Sequence, residues 1–399
     1  MTTSIVILTH NQLPLTYKCL QSIREHTQDY ELIVVDNGST DGTVNYLHMQ
    51  HDVIVHENKE NLGFAKGCNQ GIELSKGENI LFLNNDTIVT EHWLDNMLRV
   101  LYENDRVGMV GPVTNYSSGH QIIPVTYTQL DEIDTFSKRH CEENAGCYTD
   151  VRRLVGFCLL ARRSLLDEIG HFDERYGLGN YEDDDLCLRA LHAGYLLRVV
   201  NDSFIHHIGH ATMHNLQDLN LAMLLQRNKE RATEKWGNDI HQLIYKLETT
   251  ISLCMITLNA ESTLSDSLDS IVDEVDEIVV IDLGSTDNTV EIARNYTSNV
   301  FSTTGQEDHV GPYRYAFERA TKEYVIWLQQ GDIFDVEIIR KLSGLKFSMD
   351  GSQDIIALSD DGAGYSELAN FEGTYAPKGH FLFRRAAGFS IPDALREGV

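Results

Sequence analysis

Two amides and a carboxylate interrupt an apolar run early in the chain and could bind a metal ion. In ILFLNNDTIV, residues 80–89, the apolar residues end at Asn84, Asn85 and Asp86 and then resume. Asn and Asp adopt turn geometry readily, so a plain turn is one explanation. The other is a metal or phosphate site, because ligands of α/β proteins lie at the carboxyl ends of strands. A carboxylate flanked by amides can hold Mg²⁺ or Mn²⁺ when phosphate oxygens supply the other ligands.

A second acidic cluster could supply a general base. Glu182, Asp183, Asp184 and Asp185 are consecutive, and the apolar pattern of residues 186–191 predicts a helix directly after them. The helix dipole accounts for one or two carboxylates in a first turn, but not for four. Their mutual repulsion is expected to raise the pKa of at least one carboxyl, as general-base catalysis requires.

Three histidines, His206, His207 and His210, follow further along the chain in FIHHIGHATM. A single histidine is usually structural. Three that follow an apolar strand are as compatible with metal binding as with a structural role, since imidazole is a common ligand of transition metals.

The strand LIVVD ends at Asp36 and runs into the turn NGSTDGT. Helix capping explains residues 39–41 of this turn but leaves Asp36 without a structural role. A carboxylate at such a strand end can accept a hydrogen bond from a ribose hydroxyl or a base N–H. In a parallel sheet, Asp36 and Asp86 are expected to face the same crevice.

The segment NLGFAKGCNQGIELSKG places Gly63, Gly67 and Gly71 at intervals of four residues. Glycines on one helix face permit close approach of another backbone, such as that of a ligand-binding loop. Tight packing of the helix against the sheet would explain the same spacing. Lys66 is the cation placed near this face.

An internal repeat indicates a tandem duplication. SIVILTHNQLPLTYKCLQSI, from Ser4, recurs as SLCMITLNAESTLSDSLDSI, from Ser252, and ELIVVDNGSTDGTV recurs as EIVVIDLGSTDNTV. Strands that alternate with helical patterns predict an α/β fold with a parallel sheet. We expect one domain over residues 1–245 and a shorter one over residues 246–399.

Composition limits the partners. The formal net charge of −28 argues against binding to nucleic acid and requires a cation or clustered N–H donors for any anionic ligand. No apolar window of about 18 residues predicts a transmembrane segment. The N-terminus lacks a signal-peptide pattern, and seven cysteines without a CxxC pair fit a reducing compartment. We therefore expect a cytoplasmic protein.

Taken in order, these motifs resemble family 2 glycosyltransferases of the GT-A fold. The resemblance covers nearly all of residues 4–212 and includes VVDNGSTDGT, NLGFAKGCNQGI, LFLNNDT and YEDDDLCLRALHAGY. It implies two tandem GT-A domains, each Rossmann-like with a mostly parallel sheet. It also implies a metal-dependent glycosyltransferase of the hexosyltransferase type. Such an enzyme moves a sugar, with inversion, from a nucleoside diphosphate donor to an acceptor hydroxyl in the presence of Mg²⁺ or Mn²⁺.

The resemblance also suggests roles for individual residues. Asp183 matches the catalytic base, and Asp86 matches the last position of an Asp-x-Asp metal motif whose first carboxylate is Asn84 here. His207 matches a histidine that some members add to the metal shell, with His206 as the alternative. The candidate substrate-binding residues are Thr9, Asn11, Asp36, Asn61, Gly63, Lys66, Asn69, Asn84, Asn85 and Glu182.

The second domain departs from this pattern. It keeps the nucleoside residues Thr257, Asn259 and Asp282, but it has Gln329, Gln330 and Gly331 at the metal motif, with Asp332 displaced. No second Glu-Asp-x-Asp helix follows. We expect a non-catalytic domain that serves as an acceptor platform, a surface for homo-oligomers or a structural remnant.

Three other functions fit parts of this pattern. A nucleotidyltransferase would need a glycine-rich basic loop after the first strand, which LTHNQLPL lacks. A bifunctional two-domain sugar polymerase would need a working second domain. A non-catalytic sugar-nucleotide-binding scaffold would not need Asp86 and Asp183. For the transferase, we expect a UDP-sugar donor, or a dTDP-sugar, and a glycan, lipid-linked precursor or protein as acceptor.

Overall fold

A computed structural model describes residues 2–209, 218–303, 311–349, 351–358 and 381–387, so His210 lies outside the described residues. The chain divides into two compact units. Unit 1 comprises Met1–Leu191 and Tyr195–Lys246, and unit 2 comprises His192–Gly194 and Leu247–Val399. Among the described helices, none has the length and apolar character needed to cross a membrane.

Unit 1 contains a mixed sheet with helices around it. Its strands are β1 (Thr3–Thr9), β2 (Tyr30–Asn37), β3 (Val53–Asn58), β4 (Asn79–Asn84), β5 (Thr87–Val89), β6 (Val107–Thr114), β7 (Tyr148–Val151), β8 (Cys158–Arg162) and β9 (Leu196–His207). Its helices are α1 (Leu13–His26), α2 (Thr43–His48), α3 (Phe64–Leu74), α4 (Trp93–Leu101), α5 (Ile133–Glu143), α6 (Arg163–Ile169), α7 (Glu182–His192), α8 (Asp218–Trp236) and α9 (Ile240–Ile244).

The strand order confirms the predicted α/β fold. Within the described residues the order is β3-β2-β1-β4-β8-β6-β9-β5, with β7 paired to β9. Strands β3, β2, β1 and β4 are parallel, so their carboxyl ends share one edge, and the ladder pairs Thr9 with Asp36 and Leu8 with Asn84. The later strands extend the sheet with antiparallel pairs such as β4–β8.

Continuous apolar runs form the strands at the centre of unit 1. Residues 5–7 of β1 and 32–35 of β2 are fully or almost fully buried, as expected for strands covered on both faces. Helix α3 packs closely on β1, because a Cβ atom added at Gly67 or Gly71 would lie 2.2 Å from a methyl carbon of Leu8 or Val6. Tight helix packing therefore explains these two glycines.

Unit 2 repeats the parallel part of this sheet. Its strands are β10 (Ile251–Thr257), β11 (Glu277–Asp282), β12 (Val300–Ser302), β13 (Tyr324–Gln329), β14 (Ile355–Ala357) and β15 (Phe381–Arg384). Its described helices are α10 (Leu264–Asp269), α11 (Thr289–Tyr296), α12 (Gly311–Arg319) and α13 (Val336–Ser348). The strand order is β12-β11-β10-β13-β15-β14, and β10 is parallel to β11 and β13.

The two ladders give a residue-by-residue match between the units. Leu8 pairs with Asn84 in unit 1, and Ile256 pairs with Gln329 in unit 2. Counting two residues on from each strand end places Gly331 at the position of Asp86. Unit 2 therefore has no side chain where unit 1 has its candidate metal carboxylate.

Candidate active site

A cavity of about 570 Å³ opens in unit 1 at the carboxyl ends of β1 and β4. Its wall includes nine of the residues that the sequence indicated. They are Thr9, Asn61, Gly63, Asn84, Asn85, Asp86, Glu182, Asp183 and His207. Side chains from distant parts of the chain thus meet in one place, as expected for ligand binding at this edge of an α/β sheet.

Asn69, Lys66 and Asn11 lie outside the cavity wall, as does Asp36. The Asn69 amide donates to the Phe172 carbonyl at 2.9 Å and to Glu174 at 3.1 Å, so it fixes the chain at residues 172–174. Lys66 is exposed on α3. The Asn11 Oδ1 atom accepts a hydrogen bond from the Thr40 N–H at 2.8 Å and thereby joins the two loops that follow β1 and β2.

Asp36 is fully buried and is not part of the cavity wall, unlike Asp86, with which the sequence placed it in one crevice. The chain turns back at Gly38, where φ is +75°, and the Ser39 N–H donates to Asp36 Oδ1 at 2.8 Å. Asn37, the next residue, lines the cavity instead. The second carboxylate oxygen of Asp36 is buried without a hydrogen-bond partner among the described residues, which is costly for an acceptor.

The two asparagines that precede Asp86 hold the turn. Asn85 Nδ2 donates to the hydroxyl oxygens of Thr9 at 3.2 Å and Thr16 at 3.0 Å. The Asn84 backbone N–H donates to the Phe157 carbonyl at 2.8 Å, and the Asn84 carbonyl accepts from the Thr87 hydroxyl at 2.8 Å. Both sequence-based explanations thus apply, since the Asn85 side chain and the Asn84 backbone fix the turn and Asp86 is held on the cavity wall.

Asp86 and His207 face each other in an arrangement that calls for a cation or a proton. The Asp86 Oδ1 atom lies 3.2 Å from His207 Nε2, and His207 Nδ1 lies 2.8 Å from the Tyr116 carbonyl oxygen. A carbonyl oxygen only accepts hydrogen bonds, so we infer that Nδ1 carries the hydrogen. In a neutral imidazole, Nε2 then directs a lone pair towards the carboxylate. A backbone carbonyl that orients the far nitrogen in this way is typical of histidines that bind metals.

His206 faces away from this site, because successive side chains of β9 alternate between faces. Its Nδ1 atom lies 2.6 Å from the Tyr127 hydroxyl, and burial lowers the pKa of His206 to about 4. His206 does not line the cavity, whereas His207 does and stacks on Phe157 with ring centroids 5.2 Å apart.

The protein alone offers a divalent ion few ligands. No group of three or more His, Cys, Asp or Glu side chains in the described part of the chain is arranged to hold a metal. Asp86 and His207 form a pair of one oxygen and one nitrogen donor, which suits Mn²⁺ or Mg²⁺ only if a bound ligand completes the coordination.

Two of the four consecutive carboxylates are neutralised by cations. Asp185 is fully buried and lies 2.9 Å from Arg189 Nε and 2.6 Å from Lys235 Nζ. The Asp184 carboxylate pairs with Arg153 and with His241. Although burial opposes its charge, His241 and Arg153 hold the pKa of Asp184 below its ordinary value.

The other two carboxyls, Glu182 and Asp183, make no ion pair within the described ranges and line the cavity. Burial and the nearby Asp184 charge raise the pKa of Asp183 to about 6. Burial and the Asp183 charge raise the pKa of Glu182 to about 8. Asp183 is oriented by the N–H groups of Gly156 at 3.1 Å and Asp184 at 2.9 Å. At neutral pH this pair therefore offers one carboxylate and one carboxylic acid to the cavity.

A strained loop delivers Asp183 to the cavity. Asn180 and Tyr181 have φ angles of +73° and +80°, and such angles are unusual for a bulky residue such as Tyr. Asn228 on α8 holds the loop, because its Nδ2 donates to the carbonyls of Gly179 at 2.9 Å and Asn180 at 3.1 Å. Strain that is held by neighbouring contacts is common at functional sites.

Sequence reasoning missed several polar residues of the cavity wall, among them His10, Asn37, Arg153 and His241. His10 follows Thr9 and Asn37 follows Asp36, so their position next to predicted site residues was the signal that could have found them. Arg153 is the second of two adjacent arginines just before an apolar segment, and His241 lies where the sequence only suggested the join between domains. Nothing in their spacing connects them with residues 182–185.

Gly63 lies where the backbones of two loops meet, and we expect Gly63→Ala to destabilise the fold. A Cβ atom at Gly63, where φ is +89°, would lie 1.9 Å from the Gly177 carbonyl oxygen. Gly42, where φ is +93° and no atom lies within 4 Å of a Cβ, provides the control. Urea denaturation should give losses of about 3 kcal/mol or more for Gly63→Ala and about 1 kcal/mol for Gly42→Ala. Equal losses would contradict the close approach of the loops.

Solved structures that match this chain in part include a mannosyltransferase, PcManGT, from Pyrobaculum calidifontis, described in complex with GDP-Man and Mn²⁺. It is 20% identical to this chain, with a TM-score of 0.43 over 58% of this chain and 64% of that one.

Two sequence relatives are named glycosyltransferases. AglE of Haloferax volcanii is 26% identical over 208 residues, which are 50% of this chain and 64% of AglE. GlyG of Streptococcus pneumoniae is 33% identical over 120 residues, which are 28% of this chain and 39% of GlyG. The chain thus spans less than two thirds of the length of either relative.

The sequence model described as Glycosyl transferase family 2 matches residues 4–170 and again residues 252–344. The two segments together make up well over half of the chain and correspond to the two halves of the internal repeat. The chain belongs to glycosyl transferase family 2.

Proposed function

We propose that unit 1 transfers a sugar from a nucleoside diphosphate to an acceptor hydroxyl, with inversion and with Asp183 as the general base. One observation carries this proposal. Asp183, a carboxyl without an ion pair among the described residues, lies on the wall of the same cavity as Asp86 and His207. Family membership supports the transfer of a glycosyl group.

Asp183 suits the role of base by its environment. Its pKa, raised to about 6 by burial and by Asp184, keeps it ionised at neutral pH yet basic enough to accept a proton in the transition state. The two backbone N–H groups that hold its oxygens fix the carboxylate before the acceptor arrives. Attack on the anomeric carbon from the side opposite the leaving diphosphate inverts its configuration, as in single-displacement glycosidases.

Asp86 and His207 are the residues that would hold a divalent ion, and the lone pair that Nε2 directs at the carboxylate supports this fit. A bound Mn²⁺ or Mg²⁺ would stabilise the charge that develops on the departing diphosphate. The chain's own contribution is the rigid turn at residues 84–86, which fixes Asp86 through the hydrogen bonds of Asn84 and Asn85.

The nucleoside would lie at the β1–β2 end of the cavity, beside Thr9, Asn37, Asn61 and Gly63. Asp36 is buried next to Asn37 of the wall, so the nucleoside would contact its unpartnered oxygen only if the turn at Gly38 moved on binding, and a ligand N–H that did so would remove the cost of burial. A carboxylate that accepts from an N–H suits a uracil or thymine base, so the donor would be a UDP- or dTDP-sugar. The acceptor would be a hydroxyl of a glycan, a lipid-linked precursor or a protein.

Unit 2 would be non-catalytic and would not bind a nucleotide. Asp282 stands where unit 1 has Asp36, but the N–H groups of Gly284 and Ser285 both donate to its Oδ2 atom at 3.0 Å. The Ser285 hydroxyl donates to the other oxygen. Both carboxylate oxygens of Asp282 thus accept hydrogen bonds within the protein. In addition, Gly331 stands where unit 1 has the metal carboxylate Asp86.

We expect one nucleotide to bind per chain. Asp36→Asn should weaken the binding of UDP or dTDP by about tenfold or more, because it replaces a charged acceptor. Asp282→Asn should leave the affinity unchanged. Isothermal titration calorimetry with Mn²⁺ gives both the stoichiometry and the dissociation constant. Two nucleotides per chain, or weaker binding in Asp282→Asn, would show that unit 2 retains a nucleoside site.

The proposed function is tested by incubating the full chain with UDP-, dTDP- and GDP-sugars and Mn²⁺ and measuring the released nucleoside diphosphate. Release from one donor, abolished by chelation, is the expected result and identifies the donor. Failure to bind any of these donors would contradict the proposed function, and binding of a donor without any release would favour the sugar-nucleotide-binding scaffold.

A further inference from the structure

Asp184 is held between two cations that lie far from it in the sequence. Arg153 Nε donates to one carboxylate oxygen of Asp184, and His241 Nε2 lies 2.8 Å from the other. We call these three residues the Asp184 clamp. All three line the same cavity as Asp183. Both His241 and the acidic run lie outside residues 4–170, the part of unit 1 that matches the family model.

Each cation of the clamp is itself fixed in place. Arg153 Nη1 donates to the Ser118 hydroxyl at 2.8 Å. His241 lies in the first turn of α9, whose N-terminus is capped by Asp239 through hydrogen bonds from the His241 N–H at 3.0 Å and the Gln242 N–H at 3.3 Å. Asp239 in turn pairs with Lys229 of α8 at 2.9 Å.

The clamp acts on the immediate neighbour of the proposed base. The Asp184 N–H donates to Asp183 Oδ1 at 2.9 Å, and the Asp184 charge is one of the causes that raise the pKa of Asp183. Because the Asp184 carboxylate is almost fully buried, its charge would be costly without partners. The partners keep Asp184 ionised and reduce its repulsion of Asp183.

We propose that Arg153 and His241 are positioning residues that act through Asp184 and set the pH range in which Asp183 works as the base. The proposal rests on the proposed role of Asp183. If these residues act in this way, the fall in rate at low pH, here called the acidic limb of the pH profile, depends on two residues outside the sequence 182–185.

The charged and titratable groups around these carboxyls are few. Asp183 faces Glu182 and Asp184 on its own helix, and it faces Arg153 from the segment between β7 and β8. A further neighbour among the described residues is the thiol of Cys187, whose pKa burial raises far enough to keep it neutral. The phenol of Tyr181, neutral because burial raises its pKa, lies near Asp184, with its ring centroid 5.5 Å from that of His241.

The test compares the pH dependence of donor hydrolysis, with water as acceptor, in the wild type and two variants. His241→Gln keeps an N–H donor but removes a positive charge, so the midpoint of the acidic limb should rise by about half a pH unit. Asp184→Asn removes the negative charge beside Asp183, so the midpoint should fall by about one pH unit. A purely structural role would lower the rate at every pH without moving the midpoint in opposite directions.

The control variant is His48→Gln. His48 pairs with Glu57 on the surface, so this variant removes a comparable imidazole and should leave the profile unchanged. If Asp184→Asn does not fold, His241→Gln decides the question. The His241 side chain is 44% exposed and is not part of the core, so its replacement should leave the fold intact. An unmoved midpoint in His241→Gln overturns the proposal.

A second measurement does not depend on activity. The hydrogen bond to Asp184 raises the pKa of His241 above its ordinary value. Proton NMR of the full chain, with the His241 signal identified by its loss in His241→Gln, should show a pKa above about 6.5. The pKa of His241 should fall in Asp184→Asn. If that variant does not fold, Arg153→Gln serves instead, and there the pKa of His241 should rise further because a competing cation is removed. A His241 that titrates at or below the ordinary value overturns the clamp even if no donor is hydrolysed. Absence of hydrolysis with a raised His241 pKa counts against the proposed function and leaves the clamp supported.

Discussion

Asp183→Asn is expected to lower the turnover number by about 10²- to 10⁴-fold, while nucleotide affinity stays within about twofold. The reason is that an amide has nearly the shape of the carboxylate but accepts no proton at neutral pH. Asn retains only one oxygen for the two backbone N–H groups that now bind Asp183, those of Gly156 and Asp184. We therefore also expect a loss of about 1 kcal/mol in the free energy of unfolding.

The measurement is a steady-state rate of nucleoside diphosphate release at saturating donor, alongside calorimetry for the nucleotide. Urea denaturation of the same preparation separates the loss of turnover from the loss of stability. A fall in rate that tracked the unfolded fraction would mean that Asp183 is structural.

Glu182→Gln is the matched control, because the two carboxyls are adjacent and both buried. Burial and the Asp183 charge raise the pKa of Glu182 to about 8, so this residue carries its proton at neutral pH. Gln resembles the protonated acid, and we expect the rate to fall by less than about tenfold. A larger loss in Glu182→Gln than in Asp183→Asn would exchange the roles of the two residues.

The sequence predicted the elements and the strand ends because these depend on local patterns. Apolar runs that end in polar residues located β2 and β4, and the acidic run located the start of α7. The internal repeat predicted two units with corresponding strands. The direction of one side chain, such as that of Asp36, could not be predicted in this way, since the turn at Gly38 and the hydrogen bond from the Ser39 N–H are not visible in a strand pattern.

The choice between adjacent histidines illustrates the same limit. Alternation along β9 requires His206 and His207 to face opposite ways, but the sequence does not say which one faces the cavity. The choice is made by tertiary partners, Tyr127 for His206 and Asp86 for His207. Arg153 and His241 were missed for a related reason, because an ion pair between residues 57 positions apart leaves no periodic signal.

Removal of divalent cations, or the substitution Asp86→Asn, is expected to reduce turnover by about 10²-fold or more, equivalent to about 3 kcal/mol of transition-state stabilisation. The loss is expected to be large because the protein and the diphosphate are both negatively charged. A protein with a formal net charge of −28 repels a diphosphate, and Asp86 and His207 are the groups that would hold a compensating ion beside it. The Mn²⁺ signal in electron paramagnetic resonance measures binding directly. Because the described residues offer two ligands, we expect weak binding by the protein alone and much tighter binding when UDP or dTDP is present.

The adjacent histidines supply the matched comparison for this prediction. His207→Gln removes the nitrogen that faces Asp86 and should weaken Mn²⁺ binding by about tenfold or more. His206→Gln removes an imidazole from the opposite face of β9, where it contacts Tyr127, and should leave Mn²⁺ binding unchanged. Equal losses in the two variants would indicate a general disturbance of β9. No loss in either variant, together with full activity after chelation, would mean that the proton and not a metal ion lies between Asp86 and His207. In that case the departing diphosphate would have to be stabilised by a cationic side chain of the cavity wall, such as Arg153.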